Sequence, residues 1–195
     1  MNEIERQHID NEVKRAAEVV RRGGVILYPT DTIWGIGCDP YNDKAIKKIL
    51  EIKKRTEPKS LIILVCDVRN IENFVEDPVP IAFDLIEKWN RPLTVVFPRC
   101  KKFSDLVMTP DKTLGIRVTK ERFTNKLLKE LKHPLISTSA NVSGTPSPLG
   151  YKYIAPVIKE SVDYIVDYRR DSFSEMKAST IIKINDNGSF EVLRP

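Results

Sequence analysis

The order of elements is first visible in the stretch VILYPTDTIWGIGCDPYNDKAIKKILEIKK, residues 25–54. Its first four residues, Val25 to Tyr28, are β-branched or aromatic and apolar on both faces, which is typical of a buried strand. Its last part has apolar residues at helical spacing from about Asp43 to Lys54, and Asn42 or Asp43 can cap that helix. The stretch therefore predicts a strand, a turn and a helix in succession.

The same alternation continues in both directions along the chain. Apolar residues recur at helical spacing at 9–20, 81–89 and 123–131. Strands alternating with helices predict the α/β class, with a twisted mixed sheet flanked by helices. No repeat or Gly/Ser-rich linker divides the 195 residues, so one domain over 1–195 is expected. The other strand-like runs are 61–65, 93–97, 114–118, 135–138, 164–166, 180–184 and 190–193.

The cysteines and histidines exclude several kinds of site. Cys38, Cys66 and Cys100 are odd in number and far apart, which argues against a disulfide framework or a Cys-x-x-Cys motif. His8 and His133 lie at no metal-ligand spacing from other ligating residues. We therefore expect no metal held by protein side chains and no His-based triad.

Charge and hydropathy describe an ordinary globular chain. Charged residues make up 30% of the sequence and apolar residues 41%. No apolar run reaches membrane-spanning length and the N-terminus lacks a signal-peptide pattern, so a cytoplasmic protein with no membrane partner is expected. The formal net charge of +5 favours anionic partners such as nucleotide, phosphate or RNA.

The segment Pro29 to Gly37 is the first candidate site. It follows a predicted strand and is interpreted as a turn in which Thr30 and Thr32 flank Asp31, with glycines that allow close backbone approach to a ligand. The alternative, a Thr/Asp turn with a packed Trp34, is equally compatible with this segment.

The end of the early helix is the second candidate. Extending its apolar stripe by one heptad from Ile46 reaches Lys53, which should point toward the core and need an anion. Arg55 and Lys59 add two cations before the next strand, and the group could bind a polyphosphate or a carboxylate. The neighbouring lysines are interpreted as a solvated face, the usual explanation for a charge run: Lys44, Lys47, Lys48 and Lys54.

The third candidate is the segment Ser137 to Gly144, which follows another predicted strand. Its hydroxyls and the Asn141 amide could donate hydrogen bonds to phosphate oxygens, although they could also only cap a turn. The turn-rich stretch from Ser143 to Gly150 is interpreted as an active-site loop. The chain lacks a P-loop, a Gly-x-Gly-x-x-Gly fingerprint and a Gly-x-Ser-x-Gly elbow, so a P-loop kinase, a Rossmann dehydrogenase and an α/β-hydrolase are all disfavoured.

Taken in order, these segments resemble the YrdC/Sua5 family over nearly the whole chain. No single motif carries the resemblance. The matching positions are Pro29 to Gly37 for the family's Pro-Thr-Glu-Thr-x-Tyr-Gly-Leu-Gly, Lys53 and Arg55 for its Lys-x-Arg, Ser139 and Asn141 for its Ser-x-Asn, Leu114 to Val118 for its Gly-x-Arg strand, Ser179 to Ile182 for its Ser-Thr-Ile strand, and Leu193 to Pro195 for its Leu-Arg-Pro.

Five positions depart from the family pattern. Asp31 stands for a glutamate, Trp34 for a tyrosine and Thr56 for a proline, and Asn90 and Arg91 replace Pro-Gly in the family's Trp-Pro-Gly-Pro-Leu-Thr. These departures place the chain in a divergent branch and leave its substrate choice open. The chain resembles the short form of the family.

The resemblance implies a YrdC-like fold around a deep basic cleft. It also implies the activity of a nucleotidyltransferase that uses ATP, L-threonine and bicarbonate to make threonylcarbamoyl-adenylate, with Mg²⁺ bound through the phosphates. Downstream proteins would transfer the threonylcarbamoyl group to adenosine 37 of tRNA. Carried over by position, the nucleotide residues would be Lys53, Arg55, Lys59, Ser139, Ser147 and Arg194 with Asn141 nearby, and the threonine residues would be Thr32, Arg117, Thr138 and Ser179.

Two other functions remain open at this point. The same charge could serve a module that binds double-stranded RNA or tRNA without making adenylate. A related carbamoyl-transfer or phosphate-sugar enzyme on the same fold is the second. If the chain is the adenylate synthase that the resemblance implies, catalysis rests on Lys53, Arg55, Ser139 and Asn141. These residues would act by positioning and charge neutralisation, without a covalent enzyme intermediate.

Overall fold

The structure, a computed structural model, describes residues 2–55, 61–101, 103–172 and 178–195. Within these residues a nine-stranded sheet is flanked by helices on both faces, which confirms the predicted mixed α/β class. The helices are α1 (Glu3–Arg21), α2 (Asp43–Ile52), α3 (Pro80–Lys88), α4 (Arg122–Leu131) and α5 (Pro156–Ser161), with 3₁₀ turns at Val68–Asn73 and Tyr151–Tyr153. The strands are β1 (Ile26–Tyr28), β2 (Gly35–Cys38), β3 (Ile62–Val65), β4 (Leu93–Phe97), β5 (Leu114–Val118), β6 (Leu135–Ser139), β7 (Tyr164–Ile165), β8 (Thr180–Ile184) and β9 (Phe190–Arg194).

The sheet mixes parallel and antiparallel neighbours. Its strand order is β7-β1-β2-β6-β3-β5-β4-β8-β9. The β3–β5, β4–β8 and β1–β7 pairs are parallel, and the other pairs are antiparallel. Strands distant in sequence therefore become neighbours at the centre of the sheet.

The core lies on both faces of this sheet. Along β1, Ile26 and Tyr28 belong to the hydrophobic cluster that contains α1 and α4, whereas Leu27 belongs to the cluster that contains α2, α3 and α5. Successive strand residues point to opposite faces, so α1 and α4 cover one face and the other three helices cover the opposite one. Burial on both faces explains why the strands are apolar throughout rather than alternating.

The largest correction to the sequence interpretation concerns Gly35–Cys38. The sequence predicts a turn over Pro29 to Gly37, but Gly35–Cys38 form β2, a buried interior strand that pairs with β1 and β6. Glycine is needed at position 37 because a Cβ there would lie 2.6 Å from the Ile136 carbonyl oxygen and 2.9 Å from the ring of Tyr28. The glycines that suggest a turn therefore serve close strand packing.

Smaller differences occur at the helices. Helix α2 ends at Ile52, two residues before the predicted Lys54, and the side chain of Asn42 caps it by accepting from Ala45 N at 3.1 Å. Helix α5 and the two 3₁₀ turns were not predicted, since each is too short to show a clear period.

Candidate functional site

A cavity of about 450 Å³ opens on the sheet face that α1 and α4 partly cover. Leu135 of β6 and Leu64 of β3 lie under these helices, whereas Ser137 and Ile62, two residues away on the same strands, line the cavity. Residues two apart on a strand share a face, so the cavity is the part of this face that the helices leave uncovered.

The wall of the cavity is rich in hydroxyls and arginines. Hydroxyl groups and guanidinium groups together favour oxyanions such as carboxylates and phosphates. The arginines among its lining residues are Arg55, Arg117 and Arg194, and the hydroxyl residues are Thr30, Thr32, Thr94, Thr109, Thr113, Ser137, Thr138, Ser139, Ser147 and Ser179.

Arg117, on β5, is the most buried of the three cations. Its side chain is 5% exposed, and it donates from Nη1 to Thr32 Oγ1 at 3.1 Å. Its Nη2 lies 3.2 Å from Asp31 Oδ1, without the alignment of a hydrogen bond, and its Nε–H has no partner among the described residues. A buried guanidinium with an unused donor is poised to bind a further acceptor.

Arg194, at the end of β9, is fixed through Ser179. Its Nε donates to the Ser179 carbonyl oxygen at 3.0 Å and its Nη2 to Ser179 Oγ at 3.3 Å. Ser179 Oγ in turn lies 2.8 Å from Thr94 Oγ1. Burial, and to a lesser extent the charge of Arg117, lowers the pKa of Arg194. The cost of placing two cations close together would be relieved by a bound anion.

Lys53, at the C-cap of α2, points inward as predicted and is 2% exposed. In place of the predicted anion, its Nζ donates to the carbonyl oxygens of Ser139 and Asn141, at 2.6 and 2.8 Å. Its own carbonyl oxygen accepts from Ser143 N at 3.0 Å. Burial, followed by the charge of Arg55, lowers the pKa of Lys53 to about 8. Lys53 thus ties the end of α2 to the segment after β6.

Most of the predicted site residues meet at this cavity. Lys53 and Asn141 are not among its lining residues and lie behind Ser139, while Lys59, like the divergent Thr56, falls outside the described residues. The nucleotide and threonine roles of all of these residues remain predictions. Those that line the cavity are Thr32, Arg55, Arg117, Thr138, Ser139, Ser147, Ser179 and Arg194.

Sequence reasoning missed part of the wall. Thr94, Thr109 and Thr113 were not singled out, since isolated threonines in or near strands give no signal of their own. Ser137 was noted only as one of several hydroxyls. The pair between Asp31 and Arg117, which are far apart in sequence, could not be seen without the fold.

In the part of the chain that the structure describes, no three His, Cys, Asp or Glu side chains are grouped so that they could hold a metal ion. None of the described helices combines the length and apolarity needed to span a membrane.

Comparison with known proteins places these features in context. The family model Sua5_yciO_yrdC, described as "Telomere recombination", matches residues 18–195. The threonylcarbamoyl-AMP synthase of Idiomarina loihiensis is 34% identical over 155 residues, which are 78% of this chain and 83% of that protein. This curated relative is named as an enzyme.

Solved structures agree in fold. P. abyssi Sua5, crystallised with L-threonine, aligns with a TM-score of 0.82 and 27% identity over 94% of this chain and 53% of that one. This chain therefore spans about half the length of P. abyssi Sua5. E. coli YciO aligns with a TM-score of 0.77 and 26% identity, covering 93% of this chain and 87% of that one.

Proposed function

The chain belongs to the Sua5/YciO/YrdC family, and on this premise we propose that it is a nucleotidyltransferase that makes threonylcarbamoyl-AMP. Its substrates would be L-threonine, bicarbonate and ATP. The amine and bicarbonate would form a carbamate with loss of water, and a carbamate oxygen would attack the α-phosphate with release of pyrophosphate. The curated relatives named threonylcarbamoyl-AMP synthase support this assignment.

One observation carries the proposal. Arg55, Arg117 and Arg194 come from three distant parts of the chain, yet all three line one cavity with a wall of serine and threonine hydroxyls. The two substrates supply a carboxylate and a triphosphate, and such a wall neutralises and orients both. Attack on phosphorus requires alignment and charge neutralisation more than a protein nucleophile, so catalysis by positioning fits this cavity.

The residues divide between the two substrates. We assign Thr32, Arg117, Thr138 and Ser179 to L-threonine. Mg²⁺ would be held through the phosphate oxygens, where it would supply further charge neutralisation. We assign the nucleotide to Arg55, Ser139, Ser147 and Arg194, with Lys59 as a prediction from the resemblance and with Lys53 and Asn141 supporting Ser139 from behind the wall.

A pyrophosphate-release assay tests this function. Release should require ATP, L-threonine and bicarbonate together, and omission of any one should reduce it to background. Replacing L-threonine by other amino acids, or bicarbonate by other carbamoyl donors, tests whether the divergent branch has changed substrate. Salt-sensitive binding of tRNA or double-stranded RNA without pyrophosphate release would instead support the RNA-binding module.

The product defines the expected partners. A mixed anhydride of a carbamate and AMP is an activated acyl donor, so separate proteins would transfer its threonylcarbamoyl group to adenosine 37 of tRNA. Product formation by this chain alone, with transfer only after those proteins and tRNA are added, is the expected result.

A further inference from the structure

The turn between β1 and β2 carries part of the cavity wall and is held together by its own hydrogen bonds. Thr30 donates from Oγ1 to the Ile33 carbonyl oxygen at 2.7 Å and accepts from Thr32 N at 3.0 Å. All three residues line the cavity. On the side of β5, Arg117 donates to Thr32 Oγ1 at 3.1 Å. Since the turn is fixed internally, its position depends on its contacts with the rest of the protein.

A second contact of the turn comes from α4, behind the cavity wall. Thr124, in the first turn of α4, is fully buried and is not among the residues that line the cavity. Its Oγ1 lies 3.1 Å from the carbonyl oxygen of Pro29, the buried residue that opens the β1–β2 turn. A carbonyl oxygen can only accept, so Thr124 is the donor. Because proline has no N–H, this carbonyl is the main-chain group through which Pro29 can be held.

Glu121, the N-cap of α4, places the Thr124 hydroxyl. Its Oε2 accepts from Thr124 N at 2.7 Å and lies 3.0 Å from Thr124 Oγ1. Burial raises the pKa of the Glu121 carboxyl group, and Arg169 Nη1 lies 3.9 Å from its Oε1. An ionised Glu121 shares the single hydroxyl proton with Pro29, whereas a protonated one leaves that proton to Pro29. In either state the Pro29 carbonyl oxygen has Thr124 as its donor.

We propose that Thr124 is a positioning residue for the reaction, whose hydroxyl holds the Pro29 carbonyl oxygen and so sets where the β1–β2 turn lies relative to Arg117. This inference rests on the proposed function, because Thr32 and Arg117 are groups that it assigns to L-threonine. Thr124 lies outside the cavity wall and would act on the substrate only through the turn. Without this contact the turn samples more positions, and binding must order it again at a cost in affinity.

Steady-state pyrophosphate release by the full chain tests the inference, with Thr124→Val as the main variant. Valine keeps the branched shape of the side chain but removes the donor. KM for L-threonine should rise about fivefold or more, because the turn loses a hydrogen bond that orders it, while kcat stays within about twofold. KM for ATP should change less than about twofold. Thr124→Ser, which retains the hydroxyl, should return KM for L-threonine to within about twofold of the wild-type value.

Asn125→Ala is the matched control, because it removes a similar link at the next residue of α4. Asn125 Nδ2 donates to the carbonyl oxygens of Cys66 and Thr119, at 2.9 and 3.3 Å, and neither residue belongs to the β1–β2 turn. Thr124→Val and Asn125→Ala should each lower the melting temperature by about 2–6 °C. Only Thr124→Val should raise KM for L-threonine.

The outcomes separate this inference from the proposed function. If the wild-type protein releases pyrophosphate and Thr124→Val keeps the wild-type KM for L-threonine, the inference is wrong and the proposed function stands. An equal rise of KM in Asn125→Ala would also overturn it, because the effect would then come from a general loosening of α4. The same holds if Thr124→Ser is as impaired as Thr124→Val, since the hydroxyl would not carry the effect. If the wild-type protein releases no pyrophosphate, both proposals fail.

Discussion

One face of the sheet has two halves that differ in what covers them. Under α1 and α4, the face presents Leu64, Leu135 and the ring of Tyr28, all fully buried. Beyond the helices, the same face presents Ser137, Arg117 and other polar groups to the cavity. We call these the covered half and the open half. Side chains two residues apart on β6 change from leucine to serine at the boundary, so helix cover decides which strand positions are available for binding.

Tyr28 connects the two halves. Its ring packs in the covered half and beside Gly37, while its hydroxyl reaches Ser137 in the open half. The comparison teaches that burial alone does not separate core from site, since Arg117 and Ser137 are almost as buried as the leucines. Arg117 differs from the core residues because its Nε–H donor is left unused among the described residues.

The largest effect is expected in the covered half. Phe123→Ala removes a fully buried ring that packs against α1 and Tyr168, and should cost about 3–5 kcal/mol of unfolding free energy. Denaturant unfolding measures this loss, with Phe123→Leu as the milder control. The activity per folded molecule should be kept; a specific loss of activity in folded protein would break the distinction between the halves.

In the open half we expect loss of binding instead. Arg117→Met should weaken L-threonine binding by about 100-fold, or roughly 3 kcal/mol, because a buried charged donor is lost. This change leaves Asp31 without its cation, so Arg117→Met, Asp31→Asn serves as the stability-matched variant. Calorimetry on both variants should give the same loss, and wild-type affinity in the double variant would contradict the assignment.

Lys53 sharpens the comparison because it is a buried cation outside the cavity wall. Its pKa falls from 10.5 to about 8 through burial, so between these values the unfolded chain binds more protons than the folded one. The unfolding free energy contributed by this group should therefore rise with pH over that window, by at most about 3 kcal/mol.

The measurement is denaturant unfolding of wild-type protein and Lys53→Met between about pH 7 and pH 11.5, an interval that extends roughly one pH unit beyond each end of the window. The unfolding free energy of the wild-type protein, relative to that of Lys53→Met, should increase with pH across this window. Lys54→Met, at the exposed neighbouring lysine, is the matched control and should keep the wild-type profile. A flat difference would show that the pKa of Lys53 is the same in the folded and the unfolded chain, so that burial does not lower it.

The smallest effect is expected for Asp31→Glu, which restores the residue that the family resemblance implies. Asp31 and Arg117 are both mostly buried, and the longer side chain can still pair with the guanidinium. L-threonine KM should change less than about fivefold, while kcat stays similar, as expected for a small shift in substrate positioning. A switch in amino acid preference would show that this divergence sets the substrate.

The fold was largely predictable because the helices show regular apolar spacing and the strands are short runs of apolar, β-branched residues. Helices α2, α3 and α4 and every strand except β2 were anticipated within a few residues, and α1 was anticipated although it begins at Glu3, six residues before the apolar stripe. Strand β2 was missed because Gly35 and Gly37 resemble turn residues when no neighbours are known. The steric need for these glycines comes from β1 and β6, and only tertiary structure supplies it.

The candidate site was predictable in composition but not in its contacts. The order of motifs pointed to Arg55, Arg117, Ser139 and Arg194, which do line one cavity. The sequence could not show that Lys53 uses its donors on main-chain carbonyl oxygens. Nor could it show that Ser137 accepts from the phenol of Tyr28, which is far away in sequence.

The spread of the cavity wall along the sequence affects how the protein folds. Its residues run from Thr30 to Arg194, and the sheet that carries them joins β1 to β7 across more than half of the chain. Contacts between such distant residues slow folding, because the chain loses the entropy of closing long loops before the strand pairs contribute favourable free energy. A chain emerging from the ribosome therefore cannot complete its anion pocket until β9 has been synthesised, and binding of nucleotide or amino acid can begin only after that.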